Sequence, residues 1–102
     1  MKKSEREFQS KVRALGCICC LREGLGDTPA EIHHMLSGGR RRGEMFVLPL
    51  CPSHHRNGLD GRNVMKIVSR DHSQRKFESR HGREDDLLAD VMARIGAVEK
   101  FR

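Results

Sequence analysis

The chain has 102 residues, 36% of them hydrophobic, with four Phe, no Trp or Tyr, and one third of its positions charged. One domain of that length buries only about 60–65% of the surface its unfolded form exposes, so the apolar core is thin and a cross-link is expected to supplement it. No run approaches the roughly 20 apolar residues of a membrane span, and a net charge of +6 with a pI near 9.6 favours a polyanionic partner, most commonly nucleic acid.

The first element is a helix over 4–15. Ser4 and Glu7 have capping-box spacing, Phe8, Val12 and Leu15 make one apolar stripe, and Gly16 stands where a helix commonly ends. Lys2, Lys3, Arg6, Lys11 and Arg13 are left for solvent. Cys17-Ile18-Cys19-Cys20 follows at once. Only Cys17 and Cys20 have the two-residue gap that lets two thiolates reach one tetrahedral ion, so Cys19 points elsewhere. The chain opens Met1-Lys2-Lys3-Ser4-Glu5 without an apolar signal segment, and cytoplasmic residence is expected. In that reducing setting Cys-x-x-Cys reads as a metal half-site before it reads as a disulfide.

A loop is expected over 21–29, with Gly24, Gly26, Asp27 and Pro29 as breakers. A strand over 30–36 carries His33 and His34, and a partner strand over 45–50 ends in Leu48-Pro49-Leu50. Between them, 37–43 is too long for a two-residue turn. It places Arg40, Arg41 and Arg42 beside Gly38, Gly39 and Gly43, where the main chain can approach a phosphate backbone and guanidinium groups can fork onto phosphate oxygens.

Cys51-Pro52-Ser53-His54-His55 supplies a second half-site, Cys51-x-x-His54. Seven of the ten Cys and His side chains therefore fall into short motifs. Ser53 is an N-cap candidate for a short helix over 54–59, ended by Gly58 and Gly61. The stretch 60–70 reads as a loop or a single turn. A helix over 71–80 with Phe77 follows, then a break at Gly82. A last helix over 84–95 has Leu87, Leu88, Val91, Met92 and Ile95 on its core face and Glu84, Asp85 and Asp86 at its N-terminus, where the dipole favours acids. His81, at a helix end, is expected to cap carbonyls.

The order strand, arginine loop, strand, Cys-x-x-His-His, helix is that of a ββα-metal unit. The run Cys17-x-x-Cys20, Ile32-His33-His34, Gly38-Gly39 and Leu48-Pro49-Leu50-Cys51-x-x-His54-His55 resembles the zinc-bearing HNH endonucleases. With Met35, Arg56, His72, Phe77, Glu78, Gly82, Leu87 and Leu88 it is most similar to the phage recombination enhancement function (Ref) nucleases. The resemblance spans roughly 15–95. It implies an α+β fold, a small treble-clef-like ββα-metal core over 17–60 between an N-terminal helix and two C-terminal helices, all in one domain over 1–102.

It also implies a structural Zn²⁺ on Cys17, Cys20, Cys51 and His54. His33 and His55 stand at ligand positions for a catalytic Mg²⁺ or Mn²⁺, and His34 stands at the general base. DNA would be the substrate and the RecA filament a partner, in a monomer or weak dimer, within a bacterial host cytoplasm if the gene is carried by a phage. Two family positions differ. Phe46 stands where the family has its central Asn, and Leu59 where many members have a further ligand, leaving Asn57, Asp60 or His72 to complete the shell. Adjacent residues of a regular strand face opposite ways, so His33 and His34 converge on one ion only through a twist or bulge. A rival reading is a zinc-stapled nucleic-acid-binding module that hydrolyses nothing.

Overall fold

The stripe of Phe8, Val12 and Leu15 does wind into a helix, α1 (Lys3–Leu15), in the computed structural model, which describes residues 1–57, 70 and 74–100. It begins one residue before the expected start. Glu5, not Glu7, reaches back, its carboxylate accepting the backbone N–H of Lys2 at 2.8 Å, so Ser4 lies inside the helix. Gly16 closes it with φ +87°, and a Cβ there would meet the Thr28 carbonyl oxygen at 3.2 Å. That close approach lets Cys17 N–H donate to the same carbonyl at 2.9 Å.

The cysteine knuckle is a short helix, α2 (Ile18–Arg22), with Cys17 at its N-cap. Leu21 and Arg22 continue it instead of starting the loop, because no breaker intervenes before Gly24 and Leu21 N–H donates to Cys17 C=O. The two expected strands are shorter than their apolar runs. β1 (Glu31–His34) pairs antiparallel with β4 (Val47–Leu50), His33 opposite Leu48 and His34 opposite Val47. Between them lies a second hairpin, β2 (Leu36–Ser37) with β3 (Arg40–Arg41). Gly38 and Gly39, at φ +59° and +79°, make the two-residue turn that the sequence reading excluded. Positive φ at both central residues is what a tight hairpin matching the strand twist requires. Met35 divides β1 from β2, its N–H donating to Phe46 C=O and its own C=O accepting from Arg42.

All four residues of β4 are buried, as a continuous apolar run predicts for a strand covered on both faces. Pro49 is tolerated because a two-stranded sheet leaves each strand an edge. β4 is the hub of the packing: α1, α2 and the last helix, α4 (Glu84–Lys100), all contact it. Before α4 comes α3 (Gln74–His81), whose Phe77 is fully buried, and Gly82 breaks the two apart at φ +105°. α4 buries Leu87, Leu88 and Val91, whereas Met92, expected in the core, is 52% exposed. It also runs past residue 95, since Gly96 leaves the helical hydrogen bonding intact and Ala97 and Val98 follow.

After β4 the chain turns through one wide, π-type helical turn over Ser53–Asn57. Ser53 is the first residue of that turn. The expected helix end near residue 59, Asp60 and His72 lie outside the described residues. No helix among the described residues is long and apolar enough to cross a membrane.

Candidate metal centre and active site

α2 and the end of β4 bring three thiols and one imidazole to a single point. The ligand atoms of Cys17, Cys20, Cys51 and His54 lie within 4.8 Å of one another, and all four residues are buried. His54 Nδ1 is 3.5 Å from Cys17 Sγ, 3.6 Å from Cys20 Sγ and 3.2 Å from Cys51 Sγ, and the sulfurs of Cys20 and Cys51 are 3.8 Å apart. A tetrahedron with about 2.3 Å to sulfur and about 2.0 Å to nitrogen has edges of about 3.8 Å between sulfurs and about 3.5 Å between sulfur and nitrogen. Three of these four edges match within about 0.1 Å and the Cys51–His54 edge is slightly short, so the donor set fits a small tetrahedral cation.

Without a cation these thiols hold their protons. Burial pushes Cys20 up to about 12. A hydrogen bond with Cys17, then burial, pushes Cys51 up to about 11, and Cys17 is raised as well, chiefly by a hydrogen bond with Cys19. An ion entering the site must displace those protons.

Cys19 is not one of the four donors, although its thiol hydrogen-bonds that of Cys17; it forms a second group with His54 and His81, whose ligand atoms also lie within 4.8 Å of one another. His81 is 8% exposed, lies tilted against Phe77, meets the His54 ring edge-on at 5.0 Å, and pairs through Nδ1 with Glu23 at 3.2 Å. The Glu23 carboxylate also lies 3.9 Å from His54 Nε2. It forms the acidic flank of the imidazole whose other nitrogen faces the thiols.

The neighbours His54 and His55 diverge. His54 joins the sulfurs, while the His55 ring meets that of His33, centroid to centroid, at 5.2 Å. Each of these two imidazoles has a carboxylate on one nitrogen: Glu31 lies 2.8 Å from His55 Nδ1, and Glu84 lies 3.0 Å from His33 Nε2. Carboxylates in that position fix which nitrogen keeps the hydrogen, as they do for histidines that ligate metals. Glu84 is itself held by Arg70 Nε at 2.7 Å. Burial alone would raise its carboxyl, but the hydrogen bonds from His33 and Arg70 outweigh burial and hold it below the ordinary value.

His34 leaves this group. The strand alternation stands without a bulge at that point, and His34 is half-buried with Nε2 3.2 Å from Glu44 Oε2. Of the loop arginines, Arg40 and Arg41 are exposed on β3. Arg42 is engaged, donating to Asp85 at 2.7 Å and lying 4.7 Å over the ring of Phe46.

Compared with known families, residues 2–95 match the model described as "Recombination enhancement, RecA-dependent nuclease". The chain belongs to this family. Its members are nucleases of recombination tied by name to RecA, so the enzyme class and the link to RecA stand on the match. No curated protein matches the chain well enough to count as a relative.

Within that nuclease family, the sequence reading missed the carboxylates around the histidines. Glu84 passed as an acid suited to a helix dipole, and its side chain is only 7% exposed. Glu44 is a lone acid after three arginines. Gln9 carried a usable signal: it lies three residues before Val12, a polar residue on the apolar stripe, and it is buried there.

Proposed function

We propose that the chain is an HNH-type, metal-dependent endonuclease that hydrolyses DNA phosphodiester bonds, with a structural Zn²⁺ on Cys17, Cys20, Cys51 and His54 and a separate hydrolytic centre built on His33, His34 and His55. The observation that carries this reading is the divergence of His54 and His55. One neighbour completes a buried sulfur-rich cluster suited to zinc, and the other faces His33 among carboxylates, a nitrogen and oxygen setting suited to harder ions. The order of β1, β4 and the helical turn, with histidines on the first and last, supports reading these elements as a ββα-metal unit.

A divalent ion such as Mg²⁺ or Mn²⁺, held by His33 and His55, would neutralise charge on the phosphate and on the departing oxygen. The chain's own part is to position and to move a proton. His34 takes the proton of a water, the water oxygen bonds to phosphorus, and the bond from phosphorus to the leaving sugar oxygen breaks. An imidazole suits that task because its ordinary pKa lies near 6.5. Arg40 and Arg41 are placed to contact the backbone, which positions the strand without reading its sequence. The family's tie to RecA makes DNA within a RecA filament the first substrate to test.

The test is cleavage of supercoiled plasmid and of RecA-coated DNA in Mg²⁺, Mn²⁺ or EDTA. Cleavage with either ion, none in EDTA and none by His34→Ala is expected. DNA left intact in every tube would instead identify a zinc-stapled binding module.

A further inference from the structure

Gln9 is buried in α1 at 7% exposure, although an apolar residue would pack there at no polar cost. Its amide nitrogen is fully used. It donates to the backbone carbonyl of Glu44 at 2.8 Å and to the Glu44 carboxylate at 3.0 Å, bridging 35 residues of sequence. The same carboxylate oxygen lies 3.2 Å from His34 Nε2. Glu44 is held below the ordinary carboxylate value, first by the Gln9 hydrogen bond and then by that of His34. Phe46, where the resemblance expects a polar residue beside the base, instead carries Arg42 over its ring.

We propose that Glu44, clamped by Gln9, is the positioning residue for His34. An ionised carboxylate can only accept, so the nitrogen facing it, Nε2, must carry the hydrogen. Nδ1 is then the nitrogen with a lone pair, and it alone can receive a proton from water. Two donors from one amide fix Glu44 at both main chain and side chain, so the imidazole is held in one tautomer and one orientation. This gives the N-terminal helix a catalytic duty. α1 contacts β1 and β4, and through Gln9 it also holds the residue that aims the base. The inference rests on the reading of His34 as general base.

The experiment combines cleavage kinetics in Mn²⁺ with the ¹⁵N chemical shifts of the His34 ring, on the 102-residue chain, with zinc content and unfolding temperature checked in each variant. Glu44→Gln is expected to lower kcat about 100-fold with KM for DNA unchanged, as loss of a hydrogen-bonded partner of a working imidazole does. The His34 ring should change from one tautomer, protonated at Nε2, to a mixture. Glu44→Asp should restore part of kcat and the single tautomer. Gln9→Leu should lose part of kcat while folding normally, and should add nothing to Glu44→Gln, since the two residues act through one contact.

Wild-type cleavage by Glu44→Gln, with His34→Ala inactive, would overturn the positioning role and leave the base reading standing. Wild-type cleavage by His34→Ala would overturn the base reading, and the positioning role with it. An inactive Glu44→Gln beside an active His34→Ala would make Glu44 itself the base, against this proposal.

Discussion

Binding of the structural ion should be steeply coupled to protons. Cys17, Cys20 and Cys51 are all raised, Cys20 to about 12 and Cys51 to about 11, so each enters coordination by giving up a proton. Three protons released per ion mean that the association constant rises about tenfold per thiol per pH unit. That is about 10³-fold, or about 4 kcal/mol, between pH 7 and pH 8. The sign follows from the direction of the shifts. Raised thiols keep their protons through neutral pH, so alkali favours the ion and acid expels it. For the metal-free chain the same shifts act oppositely: their stabilising share is present below the ordinary thiol value of 9.0 and is lost as pH rises through about 11 to 12. Competition for Zn²⁺ against a chromophoric chelator under reducing conditions, in half-unit pH steps, measures the slope directly. A slope near three supports three thiol ligands. A slope near zero or one would refute the donor set.

Cys20→Ala should lose stoichiometric zinc and the cooperative melt, whereas Cys19→Ala, outside the four-donor set, should keep its zinc and lose only about 1 kcal/mol; metal analysis and thermal melts read both. Phe77→Ala empties a fully buried site and should cost about 3–5 kcal/mol in urea unfolding. Glu84, held below its ordinary value by the hydrogen bonds from His33 and Arg70, contributes stability that is fully present above the ordinary value of 4.5 and is lost below it, as pH falls through the lower folded value. Urea titrations should show that acid sensitivity in the wild type and a reduced one in Glu84→Gln. Arg40→Ala with Arg41→Ala should lower the slope of log affinity against log salt for duplex DNA by about 2, measured by fluorescence anisotropy at several salt concentrations.

What was legible in the sequence was local. The stripe of α1, the break at Gly82, the apolar run of β4 and the two-residue gaps of the cysteine and histidine half-sites each depend on neighbours within a few positions. Residues 17, 20, 51 and 54 do converge in space, because both half-sites sit at element ends that the β4 packing brings together. What was hidden was long-range. Glu84 meets His33 across 51 residues and Gln9 meets Glu44 across 35, and no periodicity marks either contact. The loop over 37–43 was misread because its length suggested a wide turn, whereas Gly38 and Gly39 fold it into a second hairpin and leave Arg42 beside Asp85. Position at a helix start made Glu84 look like a dipole acid, since that rule describes the local field and not what packs on the side chain.

The central claim is that this chain offers cations two different environments, sulfur-rich beside α2 and nitrogen-rich between β1 and the turn after β4. Anomalous diffraction from crystals of the chain grown with Zn²⁺ and soaked in Mn²⁺ locates both in one measurement. The account predicts zinc among Cys17, Cys20, Cys51 and His54, and manganese against His33 and His55. One ion shared between the cysteines and His33 or His34, with no second ion bound, would contradict it.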